Sequence, residues 1–121
     1  MQTVTIPHKL VGINDYTRAC RTNKYVGAKM KQEQERICGL YIARLKPMFK
    51  PVHITITWVE TGKHRDPDNI AFAKKFILDS LVHYGVIGND NHRHIKGFTD
   101  LFEFGDDYAV IVEIKEVHDV G

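Results

Sequence analysis

The sequence predicts an α+β domain with the element order β-α-β-α-β-β, one small sheet with two helices packed on it. Three observations carry that expectation. Val52–Val59 alternates strictly, Val52, Ile54, Ile56 and Trp58 against His53, Thr55 and Thr57, the period-two pattern of a strand with one buried face. Ala28–Leu45 places Met30, Ile37, Leu40, Tyr41 and Leu45 near one helical face and meets Pro47 just beyond its end. The length, 121 residues, suits a single domain spanning 1–121, and no linker, repeat or low-complexity tract divides it.

The remaining elements follow in order. Gln2–Ile6 is a short β-type run closed off by Pro7 and Gly12, and Asn14 to Tyr25 reads as a basic, polar connection. After the central strand, Asp66-Pro67-Asp68-Asn69 opens a second helix that runs to about His83 and ends at Gly85. Ile95–Phe104 and Tyr108–Lys115 read as two strands joined by a turn at Gly105-Asp106-Asp107.

Composition narrows the function classes. With 43% hydrophobic and 26% charged residues the chain is globular rather than disordered, and no apolar run reaches the length of a membrane-spanning helix. Met1–Pro7 lacks a basic segment followed by an apolar one, so no secretory signal is expected. Two cysteines, Cys20 and Cys38, outside any CxxC pattern, suit reduced thiols in a cytoplasmic protein. The formal charge of +2 conceals an asymmetry: residues 1–50 hold ten basic residues against three acids, and residues 51–121 hold seven against twelve. Such a division suits a protein that grips a polyanion with one half and holds carboxylates for metal ions in the other; solvated surface charge is the plainer reading.

The stretch that carries chemistry is His64-Arg65-Asp66-Pro67-Asp68-Asn69, with Asp90 arriving after the second helix. Two carboxylates two residues apart at a bend, joined by a third from another segment, suit a hard divalent cation that prefers oxygen ligands. Such an ion can activate water and neutralise charge on a phosphodiester. The same residues also make a good helix start, with Asp66 as N-cap, Pro67 at the first helical position and Asp68 in the first turn. The two readings are compatible.

A longer pattern adds to this. Arg65-Asp66-Pro67-Asp68-Asn69-Ile70, then Lys74-Lys75-Phe76-Ile77-Leu78-Asp79-Ser80-Leu81, then Gly85-Val86-Ile87-Gly88-Asn89-Asp90 resembles the RusA family of Holliday-junction resolvases, in the form common in phage and prophage genomes. Leu10-Val11-Gly12-Ile13-Asn14-Asp15-Tyr16 resembles that family's loop around an asparagine. The resemblance covers most of the chain, and the block 65–90 is its specific part. It implies a small homodimer that binds four-way DNA junctions and nicks two opposed strands with Mg²⁺, or Mn²⁺ in its place, in a bacterial or phage-encoded cytoplasmic setting. Asp66, Asp68 and Asp90 would hold the metal. The family's lysine often follows the second acid by one turn, where this chain has Phe72; counting back from Asp79 selects Lys75, with Lys74 as the alternative. Where the family often has two adjacent acids, this chain has Asn89-Asp90.

On a continuous helix Lys75 would share a face with Asp68 and Asp79, and could neutralise a phosphate or simply pair with Asp79. Tyr16, Tyr25 and Tyr41 interleave with Arg18, Arg21, Lys24 and Lys29, a composition suited to phosphate contacts and base stacking; packing of the tyrosines is the alternative. Asn14, Arg18, Arg21, Lys24 and Lys29 are accordingly the candidate DNA-binding residues. The histidines, including His92 and His94, lack the helical His-x₃-His spacing of a zinc site. The expectation is a metal-dependent, structure-specific endodeoxyribonuclease. The alternatives are a non-catalytic DNA-binding module and a nuclease for flaps or forks.

Overall fold

The strand with the strictest alternation takes the centre of the molecule. In a computed structural model, which describes residues 1–117, β2 (Val52–Glu60) buries every even-numbered residue and leaves the odd ones half-exposed. It lies between β4 (Ala109–Glu116), which runs antiparallel to it, and β3 (Ile95–Phe104), which runs parallel. β1 (Gln2–Ile6) adds antiparallel to the far side of β4, so the four-stranded sheet has the order β1-β4-β2-β3.

The fold is the predicted α+β domain, with the strands in the predicted order. β3 and β4 are joined by the expected turn, but they do not pair, because β2 lies between them. The turn passes over the end of β2, where the Gly105 N–H donates to the Glu60 carbonyl at 2.9 Å. Burial explains the arrangement. β2 carries an uninterrupted row of apolar side chains, and a strand flanked on both edges hides more of them than an edge strand can. β3 has Asp100 on the corresponding face and a bulge at Lys96, and is left at the edge.

The helices pack on the even-numbered face. Ile54, Ile56, Trp58, Val112 and Ile114 of the sheet meet Cys38 and Ile42 of α2 (Lys24–Ile42) and Phe76, Ile77 and Leu81 of α4 (Lys74–His83), all essentially inaccessible to water. Two helices become four segments. The connection expected over Asn14–Tyr25 is instead largely helical, α1 (Ile13–Thr22), and α2 begins at Lys24 rather than near Ala28. The Asn23 side chain ends one helix and starts the next, its Oδ1 accepting from the N–H groups of Tyr25 at 2.8 Å and Val26 at 3.1 Å. The second expected helix is broken at Phe72-Ala73 into α3 (Pro67–Ala71) and α4, with i→i−3 hydrogen bonds from Ala73 to Ile70 and Lys75 to Phe72 tightening the step. Together α3 and α4 supply the crossover that the parallel β2–β3 pair requires.

Gly85 closes α4. At φ 71° it is the positive-φ residue of the described chain, and the N–H groups of Gly85 and Val86 return to the carbonyls of Val82 and Leu81 in a Schellman arrangement. Val86 and Ile87 then drop into the core, 1% and 2% exposed. Among the described residues no helix is long and apolar enough to cross a membrane.

Two outcomes follow from this packing. A Cβ at Gly85 would meet nothing within 4 Å. Gly85→Ala should therefore lose about 1–2 kcal/mol from backbone strain alone, read as a shift of the urea midpoint. Burial pushes the Cys38 thiol up to about 12, whereas Cys20 is exposed. Iodoacetamide at mildly alkaline pH should alkylate Cys20 in the folded protein, with Cys38 reacting only after denaturation, as read by mass spectrometry.

Candidate functional site

The loop between β2 and α3 is held by a buried ion pair at its root. Arg65 donates from Nε to Glu60 Oε1 at 2.9 Å and from Nη2 to Oε2 at 2.7 Å, with side chains only 10% and 8% exposed. Its third donor, Nη1, reaches the Leu10 carbonyl at 2.9 Å. The segment leading into α1 is tied down at two further points. The Val11 N–H donates to Gln34 Oε1 at 2.9 Å, and the Asn14 N–H donates to Asn69 Oδ1 at 3.0 Å. Asn69 thus caps α1 from 55 residues away, satisfying a helix N-terminal donor that no local side chain serves. Gly12 makes this approach feasible, because a Cβ there would collide with the Asn69 side chain.

Within the Arg-Asp-Pro-Asp-Asn run, then, Arg65 and Asn69 do structural work and the two acids do not. Asp66 occupies the N-cap position of α3, but its carboxylate accepts no hydrogen bond from the helix. Asp66 and Asp68 are both exposed, and neither belongs to an ion pair among the described residues. Their oxygens face solvent as free hard donors, the form in which carboxylates bind divalent cations. Asp66 also borders a cleft of about 270 Å³, lined with Lys63, Pro67, Ile70, Phe102 and Phe104.

Asp90 lies elsewhere. It is exposed in the loop between α4 and β3, where its N–H bonds to Asn89 Oδ1 at 2.8 Å. That loop is tied to the start of β2, the Val52 N–H donating to the His94 carbonyl at 2.8 Å, whereas Asp66 follows the end of β2. β2 and β3 pair from Val52↔Ile95, past a one-residue bulge, to Glu60↔Phe104, a length of about 26 Å at 3.3 Å per residue. The α3–α4 crossover carries the chain from one end of the sheet to the other. After Gly85, Val86 and Ile87 enter the core and do not run back toward Asp66. Among the described residues no group of three or more His, Cys, Asp or Glu side chains is placed to hold a metal ion. A single chain therefore brings Asp66 and Asp68 to one loop and leaves Asp90 apart from them.

The lysines also sort differently from the helical count. The break at Phe72-Ala73 removes the continuous face on which Lys75 would align with Asp68. Lys75 is exposed and, among the described residues, forms no ion pair with Asp79. Lys74 is the engaged one. Its Nζ lies 2.6 Å from Asp100 Oδ2 and 4.6 Å from the centroid of Phe98, while Trp58 Nε1 donates to Asp100 Oδ1 at 2.9 Å. Asp100 was not singled out by motif. An acid in the apolar alternation Phe98-Asp100-Phe102 is nevertheless a legible sign of a partnered charge.

The basic residues lie together on the α1–α2 hairpin. Asn14, Arg18, Arg21, Lys24 and Lys29 are all exposed, and Arg18 has only a loose contact with Asp15 at 3.8 Å. Tyr25 is 73% exposed with the Lys24 ammonium 5.4 Å from its ring centroid. Tyr16 packs against Phe72 and Phe76, and Tyr41 against His8 and Arg44, so these two serve the packing reading. Because Asn69 fixes the start of α1, this hairpin is anchored directly to the loop that carries Asp66 and Asp68. Neither a protein-family model nor a curated protein sequence matches the chain.

Substitutions should separate the structural from the free residues of the loop. Arg65→Ala strands the Glu60 carboxylate in the interior and should cost about 3–5 kcal/mol by denaturant titration. Asp66→Asn and Asp68→Asn should leave stability within about 0.5 kcal/mol, as exposed positions without partners do. Asp66→Ala should do the same, and a loss near 1 kcal/mol there would restore its capping role.

Proposed function

We propose that the protein is a metal-dependent endodeoxyribonuclease that acts on branched DNA, with the four-way junction as the substrate indicated by its resemblance to the RusA family. The observation that carries this reading is the division of labour in the 65–69 loop. Arg65 and Asn69 hold the loop rigid, while Asp66 and Asp68 present two carboxylates that folding does not use. Rigid support around free oxygen donors is what a cation site needs, since the ligands must be in place before the ion arrives. The α1–α2 hairpin, anchored to the same loop, offers Arg18, Arg21, Lys24 and Lys29 to DNA phosphates, and the exposed Tyr25 ring to an unstacked base.

Asp66 and Asp68 suit Mg²⁺, or Mn²⁺ in its place, as oxygen ligands. A cation bound there would supply charge neutralisation for the scissile phosphodiester and a more acidic water. Hydrolysis on the family pattern leaves 5′-phosphate and 3′-hydroxyl ends. Asp90, at the far end of the sheet in its own chain, reaches such a site only from a second subunit, which accords with a homodimer that cuts two opposed strands. A cytoplasmic location in a bacterial host fits this substrate. The absence of a three-acid group within one described chain favours the second reading, a DNA-binding module without catalysis.

A synthetic four-way junction with labelled strands distinguishes the two. With Mg²⁺ the protein should place paired nicks on opposed strands, and EDTA should stop them. Asp66→Asn, Asp68→Asn and Asp90→Asn should each reduce cleavage to the metal-free level while junction binding survives. Binding without nicking under Mg²⁺ or Mn²⁺ would establish the module reading, and faster cutting of flaps or forks would reassign the substrate. Affinity should fall steeply with salt, and charge reversal at Arg18, Arg21 or Lys24 should each flatten the log–log salt slope by about 1.

A further inference from the structure

The core-bearing face of the sheet is left uncovered at one end. Phe102 and Phe104 of β3 stand opposite Trp58 and Glu60 of β2, so their rings project on the side where the helices pack. Trp58 and Glu60 are 2% and 6% exposed, but Phe102 and Phe104 are 37% and 57% exposed. The five-residue α3 supplies Pro67 and Ile70 to this end of the sheet without closing over the two rings. Between α3 and the edge strand remains the cleft of about 270 Å³ that Asp66 borders.

The lining of the cleft is not that of a gap in the core. Apolar walls, two of them aromatic, are combined with Lys63, Asp66 and the buried Glu60–Arg65 fork. The Lys63 ammonium lies 6.0 Å from the centroid of Phe104. Arg65 keeps two N–H donors beyond the three it uses on Glu60 and Leu10. Apolar walls with a few polar groups are the make-up of a ligand site, and the volume falls just below the roughly 300–1,000 Å³ of sites for drug-sized molecules. It suits one planar ring system. The charges at its mouth specify what that ring is attached to. Lys63 attracts an anion directly, and Asp66 does so through a bound divalent cation, so the ring fits between two anionic groups. A nucleobase between successive phosphates has that form; an apolar side chain or a lipid tail would leave the lysine and the acid without a role.

We infer that the cleft receives one unstacked nucleobase of the strand whose phosphodiester lies at Asp66 and Asp68, the base stacking on Phe102 and Phe104. The inference rests on the proposed reading of the protein as one that acts on DNA, and it names the feature of branched DNA that the site selects: an unpaired nucleotide beside the cut. A base pair is too large for the cleft. Drawing a base out of an intact duplex costs unstacking and unpairing, and the cost is least where the nucleotide is already unpaired. Stacking tolerates any base, because each has a π-face, so the selection is for DNA structure rather than sequence.

Two synthetic four-way junctions test the inference, one fully paired and one with a single unpaired nucleotide at the crossover. Each is titrated by fluorescence anisotropy in EDTA, so that no strand is cut. The unpaired nucleotide should tighten binding about five- to a hundredfold, the range that stacking one base on an aromatic ring gives. An abasic residue in its place should remove the gain, and so should Phe104→Ala; the two together should cost no more than either alone. A second measurement uses the wild-type chain, where folding of a variant is not in question. With 5-iododeoxyuridine at the unpaired position, irradiation should crosslink the DNA to the peptide that holds Phe102 and Phe104, as read by mass spectrometry. Additive losses from the abasic residue and Phe104→Ala would overturn the inference, as would a crosslink confined to Tyr25 on the α1–α2 hairpin. If wild type nicks junctions with Mg²⁺ but gains nothing from the unpaired nucleotide, the base site falls and the nuclease reading stands. If the gain and the crosslink are found without nicking under Mg²⁺ or Mn²⁺, the nuclease reading falls and the base site stands. A chain that binds neither junction overturns both.

Discussion

The fork between Arg65 and Glu60 is the contact on which the rest of the molecule depends. A guanidinium and a carboxylate removed from water must satisfy nearly all their hydrogen-bonding capacity within the protein, or the desolvation cost is not recovered. Here Arg65 uses three of its five N–H donors inside the protein, two on Glu60 and a third on the Leu10 carbonyl. That third bond joins the end of the central strand to the segment preceding α1, so the basic hairpin and the acidic loop share one anchor. Arg suits the position because its planar fork serves a carboxylate and a carbonyl together, which the point charge of a lysine does not.

Around this anchor, stability and chemistry are assigned to different residues of one short run. Arg65 and Asn69 face inward and hydrogen-bond within the protein; Asp66 and Asp68 face outward. Alternation of this kind lets a site carry concentrated negative charge while its backbone stays fixed by groups of no direct role in binding. The Lys74–Asp100–Trp58 contacts do similar work at the other end of the α3–α4 step, pinning the start of α4 to β3 where the broken helix would otherwise hold α4 less firmly.

The parallel crossover sets the geometry of everything acidic. A β-α-β connection must start at one end of its sheet and finish at the other, so residues that open the helix and residues that follow it are separated by the length of a strand. Asp66 and Asp90 fall on opposite sides of that division. The constraint is topological, and no local change in the 85–90 turn removes it. The same topology leaves β3 at the edge with its aromatic side chains uncovered, so the separated acid and the open edge share one cause.

The sequence by itself determined the strands, the class of fold and which charges cluster. Period-two alternation in Val52–Val59 and the boundaries of Ile95–Phe104 are local patterns, set by which side chains can face a core. The helix breaks were harder. Asn23 as an N-cap was locally legible, but α1 is capped by Asn69 across 55 residues, and a helix stabilised from a distance leaves little local trace. The interruption at Phe72-Ala73 has neither proline nor glycine to announce it; packing against α1 and the tie from Lys74 to Asp100 hold the step in place. Sequence spacing likewise put Asp66, Asp68 and Asp90 in one pattern. Only the tertiary structure decided which of them meet, because proximity depends on the path of the chain over the sheet and not on the count of residues between them.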